Sequence, residues 1–488
     1  MSQKVYFFEP YALAVPHFET ALELIYNHAK RGDVVTVFSC DGELGACESN
    51  FQHDLTTCWK CKSRRHNGIQ SLDLSSGVQI ENFYALTAEE QNFLRDFRLK
   101  FDTIESLKNY RFEGVDIGMG VASSYISYKR NPSPVINSDD VVLLRLLKAS
   151  LKVYFSFKRI LTESRPDIVY VFNGRFSNIR PVIRLCQELG IEFRVHERGS
   201  NRFKYQISTD HLPHDFVAFQ RLAEAFWKEG YVDIREAQAR KFFEDRRMGK
   251  EQAWRSFTAS QASGKLPAVW DERKRNIVIF NSSEDEFAAI GDTLKRRVFD
   301  SQVEGVSFIT KQLETIDNVA VYLRIHPNLT GISNKSVEDL YRIKRSNFFV
   351  IPPDSDISTY ELIDRADVVV TFGSTIGIEA TYWGKPSLLL GDSFYRDLGA
   401  TYNPSTAEEV VNLLLHESSP KEKVGALKYG AYVSNYGIDY RLYRPEGLFQ
   451  GTLMGKKVRP SGWITKVLRR RPLRSIINSI SNWHAERP

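Results

Sequence analysis

Long apolar runs are missing from this chain. No stretch approaches the roughly 18–20 consecutive apolar residues of a bilayer-spanning helix, so a helical integral membrane protein is excluded. The opening Met1-Ser-Gln-Lys-Val-Tyr-Phe-Phe-Glu9 enters a strand pattern almost at once and lacks the layout of a secretory leader. Cytoplasmic residence is the resulting expectation. Cysteine is scarce, five among 488 residues, which excludes a disulfide framework and leaves reduced thiols or metal ligands. Internal repeats and low-complexity tracts are absent too, which excludes solenoid and fibrous architectures.

A broad charged surface is also lacking. The formal charge is +6, yet Lys456, Lys457, Arg459, Lys466, Arg469, Arg470, Arg471 and Arg474 carry eight positive charges with no acid between them, which leaves −2 on the rest. A near-neutral body with a basic tail points away from nucleic acid and toward a local anionic partner. Within that tail Leu473, Ile476, Ile477, Ile480 and Trp483 fall within about 120° of a helical wheel, opposite Arg474, Ser475 and Asn478. Residues 456–483 are therefore read as an interfacial segment for an anionic membrane surface, and the protein as peripheral on the inner face of the cytoplasmic membrane. A C-terminal helix docked on the body is the competing reading.

What is present is a strand–helix alternation. Residues 4–9, 34–39, 168–172 and 191–195 read as strands, 17–31 and 178–189 as helices, and Phe216–Phe219 as one more strand. A second alternating unit starts at Asn276 and runs through a helix near 302–314, strands at 319–325 and 348–351, and a helix over 359–366 capped by Ser358. This predicts an α/β protein of two doubly wound domains. The expected division is 1–262, with a helical or irregular region over 62–165, then 263–440, then a tail over 441–488. Ser260–Asp271 is the expected linker.

The most informative segment is 367–391. A valine-rich strand leads through Gly373-Ser374-Thr375 into a short helix, which Gly384-Lys385-Pro386 stops before the next strand. A turn of this kind at the carboxyl end of a parallel strand is an anion site, with Gly373 leaving backbone room and Ser374 and Thr375 supplying hydroxyls. Helix capping uses the same geometry, so the two readings coexist. The run Val370-Thr-Phe-Gly-Ser-Thr-Ile-Gly-Ile-Glu379-Ala-Thr-Tyr-Trp-Gly-Lys-Pro386, closing on Gly391-Asp-Ser-Phe-Tyr-Arg-Asp-Leu-Gly399, together with Arg324-Ile-His326-Pro327-Asn328, resembles bacterial capsule polysaccharide biosynthesis proteins. These are similar to GT-B glycosyltransferases.

The resemblance implies two Rossmann-like domains facing each other across a cleft. It also implies transfer of a sugar from a nucleotide-activated donor to a lipid-linked or growing polysaccharide acceptor, without a catalytic metal. Arg324 and His326 would grip the donor pyrophosphate with Gly373, Ser374 and Thr375, and Glu379 would meet a sugar hydroxyl. Ser282 and Ser283, after the first strand of the second domain, join that site by the switch-point rule. In the first domain Asn173, Arg175 and Arg198 fall on the acceptor side. Glu197 is the first candidate for the base that deprotonates the acceptor, and His17 the second. Bland alternatives stay open: a strand-end Arg324 paired to carboxylates, a turn-capping His326, a Glu379 paired with Lys385 or an Arg, and a structural Glu197–Arg198 pair. Asp354-Ser355-Asp356 reads as turn chemistry rather than a metal motif. Cys40, Cys47, Cys58 and Cys61 fall within 22 residues, with His53 between, so a structural zinc competes with a chance cluster of thiols and with a redox or disulfide pair. Two other functions are kept. One is a sugar-nucleotide epimerase or polyol-phosphate transferase on the same fold; the other is a non-catalytic glycan-binding assembly factor.

Overall fold

The computed structural model describes residues 2–74, 77–83, 86–252, 256–258, 261–291 and 298–462. The amphipathic run Leu473–Trp483 and the residues Trp463–Arg471 before it lie outside the described residues. The chain forms two compact units, residues 1–213 with 288–290 and 437–488, and residues 214–287 with 291–436. The division differs from the expected 262/263 boundary for a reason given below.

Unit 1 runs β1 (Lys4–Phe8), α1 (His17–Lys30), β2 (Val34–Ser39), α2 (Leu55–Gln70), β3 (Val78–Asn82), α3 (Ala88–Asp96), α4 (Ile104–Lys108), α5 (Ile117–Lys129), α6 (Val141–Ser164), β4 (Ile168–Phe172), α7 (Arg180–Leu189), β5 (Glu192–Arg198) and β6 (Lys204–Thr209). Its sheet has the order β3-β2-β1-β4-β5-β6, parallel through β5 and antiparallel at β6. The Ile-Val-Tyr-Val-Phe of β4 is buried throughout, as a strand covered on both faces must be. Region 62–165 contains the four helices α3–α6, as expected, and also β3, a polar edge strand whose pattern gives little sign of it.

Unit 2 begins with α8 (Phe216–Lys228) and α9 (Val232–Arg247), then β7 (Arg275–Phe280), α10 (Gln302–Leu313), β8 (Val319–Arg324), α11 (Lys335–Arg342), β9 (Phe348–Ile351), α12 (Thr359–Arg365), β10 (Val368–Thr371), α13 (Ile376–Tyr382), β11 (Ser387–Leu389), α14 (Ala407–Leu415) and α15 (Val424–Asn435). The sheet is wholly parallel, in the order β11-β10-β7-β8-β9. Ile277, Ile279, Val321, Leu323, Val368 and Val370 bury one face, and Val278, Ala320, Tyr322 and Val369 the other. The period of two thus runs through apolar residues on both sides.

Three expectations are corrected here. Phe216–Phe219 opens a helix, because Asp215 caps it by accepting from the Ala218 N–H and the aromatic spacing suits a helix face. Phe219, Phe242 and Phe243 pack with Tyr382, Tyr429 and Tyr432, and this apolar interface places α8 and α9 in unit 2. Residues 261–271 are not an interdomain linker. The Ala262 N–H donates to Asp356 O, Lys265 pairs with Asp356, and Trp270 stacks on Tyr322, all within unit 2.

After α15 the chain returns to unit 1. β12 (Ile438–Asp439) pairs with β6, and β13 (Tyr443–Gly447) and β14 (Gln450–Leu453) form a hairpin. The buried Glu23 carboxylate of α1 accepts the N–H groups of Arg441, Leu442 and Tyr443 at 2.8, 3.0 and 3.2 Å. Further on, Arg64 donates to Val458 O, Asn67 donates to Arg459 O, and Ser63 Oγ accepts from the Ser461 N–H. Residues 441–461 are therefore a docked part of unit 1 rather than a free tail.

Candidate functional site

In unit 2 the chain builds β7, β8 and β9 in one direction and then returns to add β10 and β11 on the other side of β7. The strand order reverses between β7 and β10, so the crevice falls at their carboxyl ends. Ser282 follows β7 and Gly373 follows β10. Gly373 has φ +140°, and a Cβ there would lie 2.9 Å from Asp392 O and 3.7 Å from Ser282 Oγ. Only glycine fits without moving the 391–393 turn. Ser282 Oγ is buried without a hydrogen-bond partner among the described residues, whereas the Ser282 N–H is held by Gln302 Oε1 at 2.8 Å. Ser283 Oγ is already engaged, donating to Asp285 in its own loop and accepting from Asn328 in the turn after β8.

Ser374 Oγ accepts from the Ile376 N–H at 3.3 Å, a local bond within the turn that leads into α13. Thr375 Oγ1 accepts from Arg246 of α9 at 3.2 Å. The same guanidinium donates to Glu379 Oε1 at 2.8 Å, and Tyr360 donates to Glu379 Oε2 at 2.6 Å. Glu379 is 1% exposed and both its oxygens are occupied. The expected sugar contact is thereby corrected: Glu379 is the buried anchor that aims Arg246 at the 373–375 turn. Burial opposes the charge of Arg246, but Glu379 more than offsets this and raises its pKa. The helix α13 spans only seven residues, so Arg246 rather than a helix dipole is the cation at this turn.

Arg324 is also corrected. It is 2% exposed and donates to Pro352 O and Ser355 O at 2.8 and 2.9 Å, tying the turn after β9 to the end of β8. That direction leads away from β10 and the 373–375 turn, because β9 lies on the opposite side of β8 from β7. Burial lowers its pKa, and Asp354 and Asp356 partly restore it. His326 caps a short turn, accepting from the Asn328 N–H at 3.1 Å, while its own N–H donates to Asn281 Oδ1 at 2.7 Å. It stays beside the β7 loop but does not converge with Arg324 on a shared anion site.

Unit 1 repeats the arrangement. Its strand order reverses between β1 and β4, and the residues beyond β1, β4 and β5 meet there. Asn173, in the left-handed region at φ 63°, donates to Glu197 Oε2 at 2.8 Å. The Arg198 N–H donates to Glu197 Oε1 at 2.9 Å, and His17 Nδ1 faces the same oxygen at 3.4 Å. The His17 ring lies 4.0 Å from Phe172, centroid to centroid. Burial pushes the His17 pKa down to about 4 against the pull of Glu197, so the imidazole is neutral near pH 7. Each Glu197 oxygen thus accepts a hydrogen bond, and the carboxylate faces His17. Arg198 is turned to backbone oxygens, Leu448 O and Val15 O. Arg175 forks onto Ser123 and Ser127 of α5 and lies over Phe176.

Sequence reasoning misses three groups here. Arg246 lies in a charged helix 133 residues from Glu379, and no local pattern distinguishes it from its neighbours. Tyr360 reads only as part of a capped helix. Glu48, bonded by Ser124, lies beside Arg175, and burial pushes its carboxyl up to about 7. The cysteine loop hides it.

The zinc expectation is not met. Among the described residues no group of three or more His, Cys, Asp or Glu side chains is arranged to hold a metal ion. The thiols satisfy local groups instead: Cys58 Sγ accepts from Asn50, Cys40 Sγ accepts from the Gly42 N–H, Cys61 faces Pro10 O, and His53 Nε2 bonds Gly42 O. All five cysteines are free thiols, and burial raises the pKa of Cys47 well above its ordinary value.

Each unit thus carries a crevice at the switch point of a doubly wound sheet. The molecule is of the α/β class with two Rossmann-like units, the pair that a GT-B-like chain requires. Residues 297–443 match the model of the capsule polysaccharide biosynthesis protein family, and the resemblance to that family is shown over this stretch. No curated protein matches the sequence. Among solved structures, two similar ones are the KpsC β-Kdo 2,4 and 2,7 transferases of Thermosulfurimonas dismutans. They are 14% and 16% identical, at TM-scores of 0.36 and 0.35, with 55% and 57% of this chain and 79% and 80% of theirs covered. A Methanocaldococcus jannaschii UDP-GlcNAc 2-epimerase solved with UDP-GlcNAc and UDP is 11% identical at a TM-score of 0.29, over 88% of this chain and 97% of that one. At such distances no residue role is carried over. Among the described residues no helix is long and apolar enough to cross a membrane.

Proposed function

We propose that the protein is a glycosyltransferase of capsule or related surface-polysaccharide assembly, which moves a sugar from a nucleotide-activated donor held by unit 2 to a glycan acceptor held by unit 1. The observation that carries the reading is the Gly373–Thr375 turn. It lies inside the family-matched stretch, at the switch point of unit 2, with Ser282 Oγ unpartnered beside it and Arg246 aimed at it. Backbone N–H groups, a free hydroxyl and a guanidinium suit a diphosphate. Arg246 supplies charge to the leaving diphosphate, so the step calls on no metal ion.

In the proposed step an acceptor hydroxyl oxygen bonds to the donor's anomeric carbon, the bond from that carbon to the diphosphate breaks, and the hydroxyl proton passes to His17. Glu197 orients the imidazole by facing Nδ1, which leaves Nε2 for the proton. Asn173 holds Glu197 in turn. Residence on the cytoplasmic membrane face, through the basic residues from Lys456 onward, belongs to the same proposal.

The test is turnover of a nucleotide-sugar panel with and without glycan acceptors. His17→Asn is expected to lower kcat by roughly 10²–10⁴-fold, the usual worth of a positioned base, with nucleotide affinity intact. Conversion of the nucleotide sugar with no acceptor present would make the protein an epimerase. Nucleotide affinity absent from the wild-type protein would make it a binding factor.

A further inference from the structure

A second groove lies in unit 1, along α5 from the candidate acceptor crevice. It has a volume of about 910 Å³ and is lined by residues 99–102 before α4, the end of α5 and residues 136–142 leading into α6. That volume is at the upper end of the roughly 300–1,000 Å³ usual for a small-molecule site. Phe101 and Tyr128 stand partly exposed in its wall. Asp102, Asn137 and Asp139 are exposed there and make no side-chain hydrogen bond or ion pair with the described residues. Asp140 is already engaged, since it caps α6 and accepts from Tyr125 and Lys129.

This lining has a chemical bias. Aromatic faces pack against the apolar C–H faces of a sugar ring, and planar carboxylate and amide groups take pairs of its hydroxyls. The charges of Lys100 and Lys129 are close to balanced by those of Asp102, Asp139 and Asp140, which disfavours a phosphate-rich or polyanionic occupant.

The groove is also tied to the crevice. One turn of α5 separates Ser124, which bonds Glu48, from Tyr128. Ser123 and Ser127 on the same helix bond Arg175. The loop that carries Glu48 continues to Phe51 and Gln52, and these meet Tyr128 by a ring contact at 4.9 Å and a hydrogen bond at 2.6 Å.

We infer that this groove is a second carbohydrate subsite, which holds an uncharged or weakly charged part of the acceptor glycan distal to the sugar that reacts. The inference rests on the transferase reading for the word acceptor, but not for the binding itself. A distal subsite makes affinity grow with acceptor length, because a longer chain reaches both places at once.

The test is calorimetric titration of the full-length protein with capsular oligosaccharides of one to eight residues, taken from several neutral and anionic backbones. The wild-type protein should bind at least one hexasaccharide roughly tenfold more tightly than its monosaccharide, and Tyr128→Ala should remove most of that gain. Tyr128→Phe keeps the ring and should retain it. Asp139→Ala, at an exposed position, should weaken the hexasaccharide but not the monosaccharide. A wild-type protein with no length dependence, or Ala variants that bind the hexasaccharide as the wild type does, overturns the groove. Oligosaccharide binding that falls in the variants, from a protein that consumes no nucleotide sugar, supports the groove and overturns the transferase reading alone.

Discussion

Arg246, and not Arg324, is the arginine bonded at the 373–375 turn, the place that the sequence assigns to Arg324. Both are arginines with buried partners, but one is bound to a carboxylate at the 373–375 turn and the other to carbonyls at the far side of β8. Arg246→Ala should therefore weaken nucleotide binding by about 2–3 kcal/mol, the worth of a charged hydrogen bond. Arg324→Ala should lower unfolding stability by about 1–3 kcal/mol while the folded protein keeps its nucleotide affinity; paired titration and denaturation curves distinguish the two. Glu48 sets a pH dependence. Its folded pKa of about 7 lies above the ordinary carboxylate value, so between roughly pH 4.5 and 7 the native state keeps a proton that the unfolded chain has released. The stability this contributes is complete at low pH and is lost as pH rises through 7, by about 3 kcal/mol at most. Glu48→Gln should flatten that part of the stability–pH curve, and urea denaturation at pH 5 and 8 measures it. His17 and Glu197 were both legible as helix-start and strand-end groups; that they face one another, with Asn173 and the Arg198 N–H bonded to the Glu197 carboxylate, was not.

At the scale of elements, apolar strands and capped helices are readable and polar strands are not. The residues of β2, β4 and β9 match the expected strands, and α12 starts at its Ser358 cap. β3, β6 and β12 escape, since their side chains are largely polar and show no apolar run. The hairpin β13–β14 carries Pro445 and a register shift, and its pattern is equally poor. One carboxylate is central to how this returning segment is held, beside the β12–β6 pairing and the Arg198 bond to Leu448 O. Glu23 satisfies three successive backbone N–H groups, and removing it leaves the buried Tyr443 N–H and the two part-buried ones before it without that partner. Glu23→Ala should cost about 3 kcal/mol or more, with hydrogen exchange accelerated across 438–453 ahead of the sheet of unit 1.

At the scale of the molecule, the chain leaves unit 1 after Pro213, belongs to it again over Ala288–Ile290, and returns to it at Gly437. Residues 455–461 then lie along α2, so the basic tail starts from a fixed place on unit 1. Cleavage after Gly462 removes Lys466, Arg469, Arg470, Arg471 and Arg474 and leaves the docked segment intact. Each basic residue near an anionic surface is worth about 1 kcal/mol before screening, so the truncated protein should release from phosphatidylserine vesicles in sedimentation while its melting temperature holds. A fall in melting temperature would make the removed residues part of the packed body. Cleavage after Gly455 would confuse the two, because it also strips the partners of Ser63, Arg64 and Asn67.

By itself the sequence determined the α/β class, most of the strands, the glycine turn at 373 and the candidates at the ends of strands. These are local properties: periodicity, caps, and a backbone conformation that excludes a Cβ. Tertiary structure decided which candidates meet. It set Arg246 against Glu379 and Thr375, turned Arg324 away, placed α8 and α9 in unit 2, brought residues 437–461 back to unit 1 and left the cysteines without a metal-holding arrangement. Those outcomes depend on contacts between residues tens to hundreds of positions apart, or on side-chain directions within a loop, and neither leaves a periodic trace in the chain.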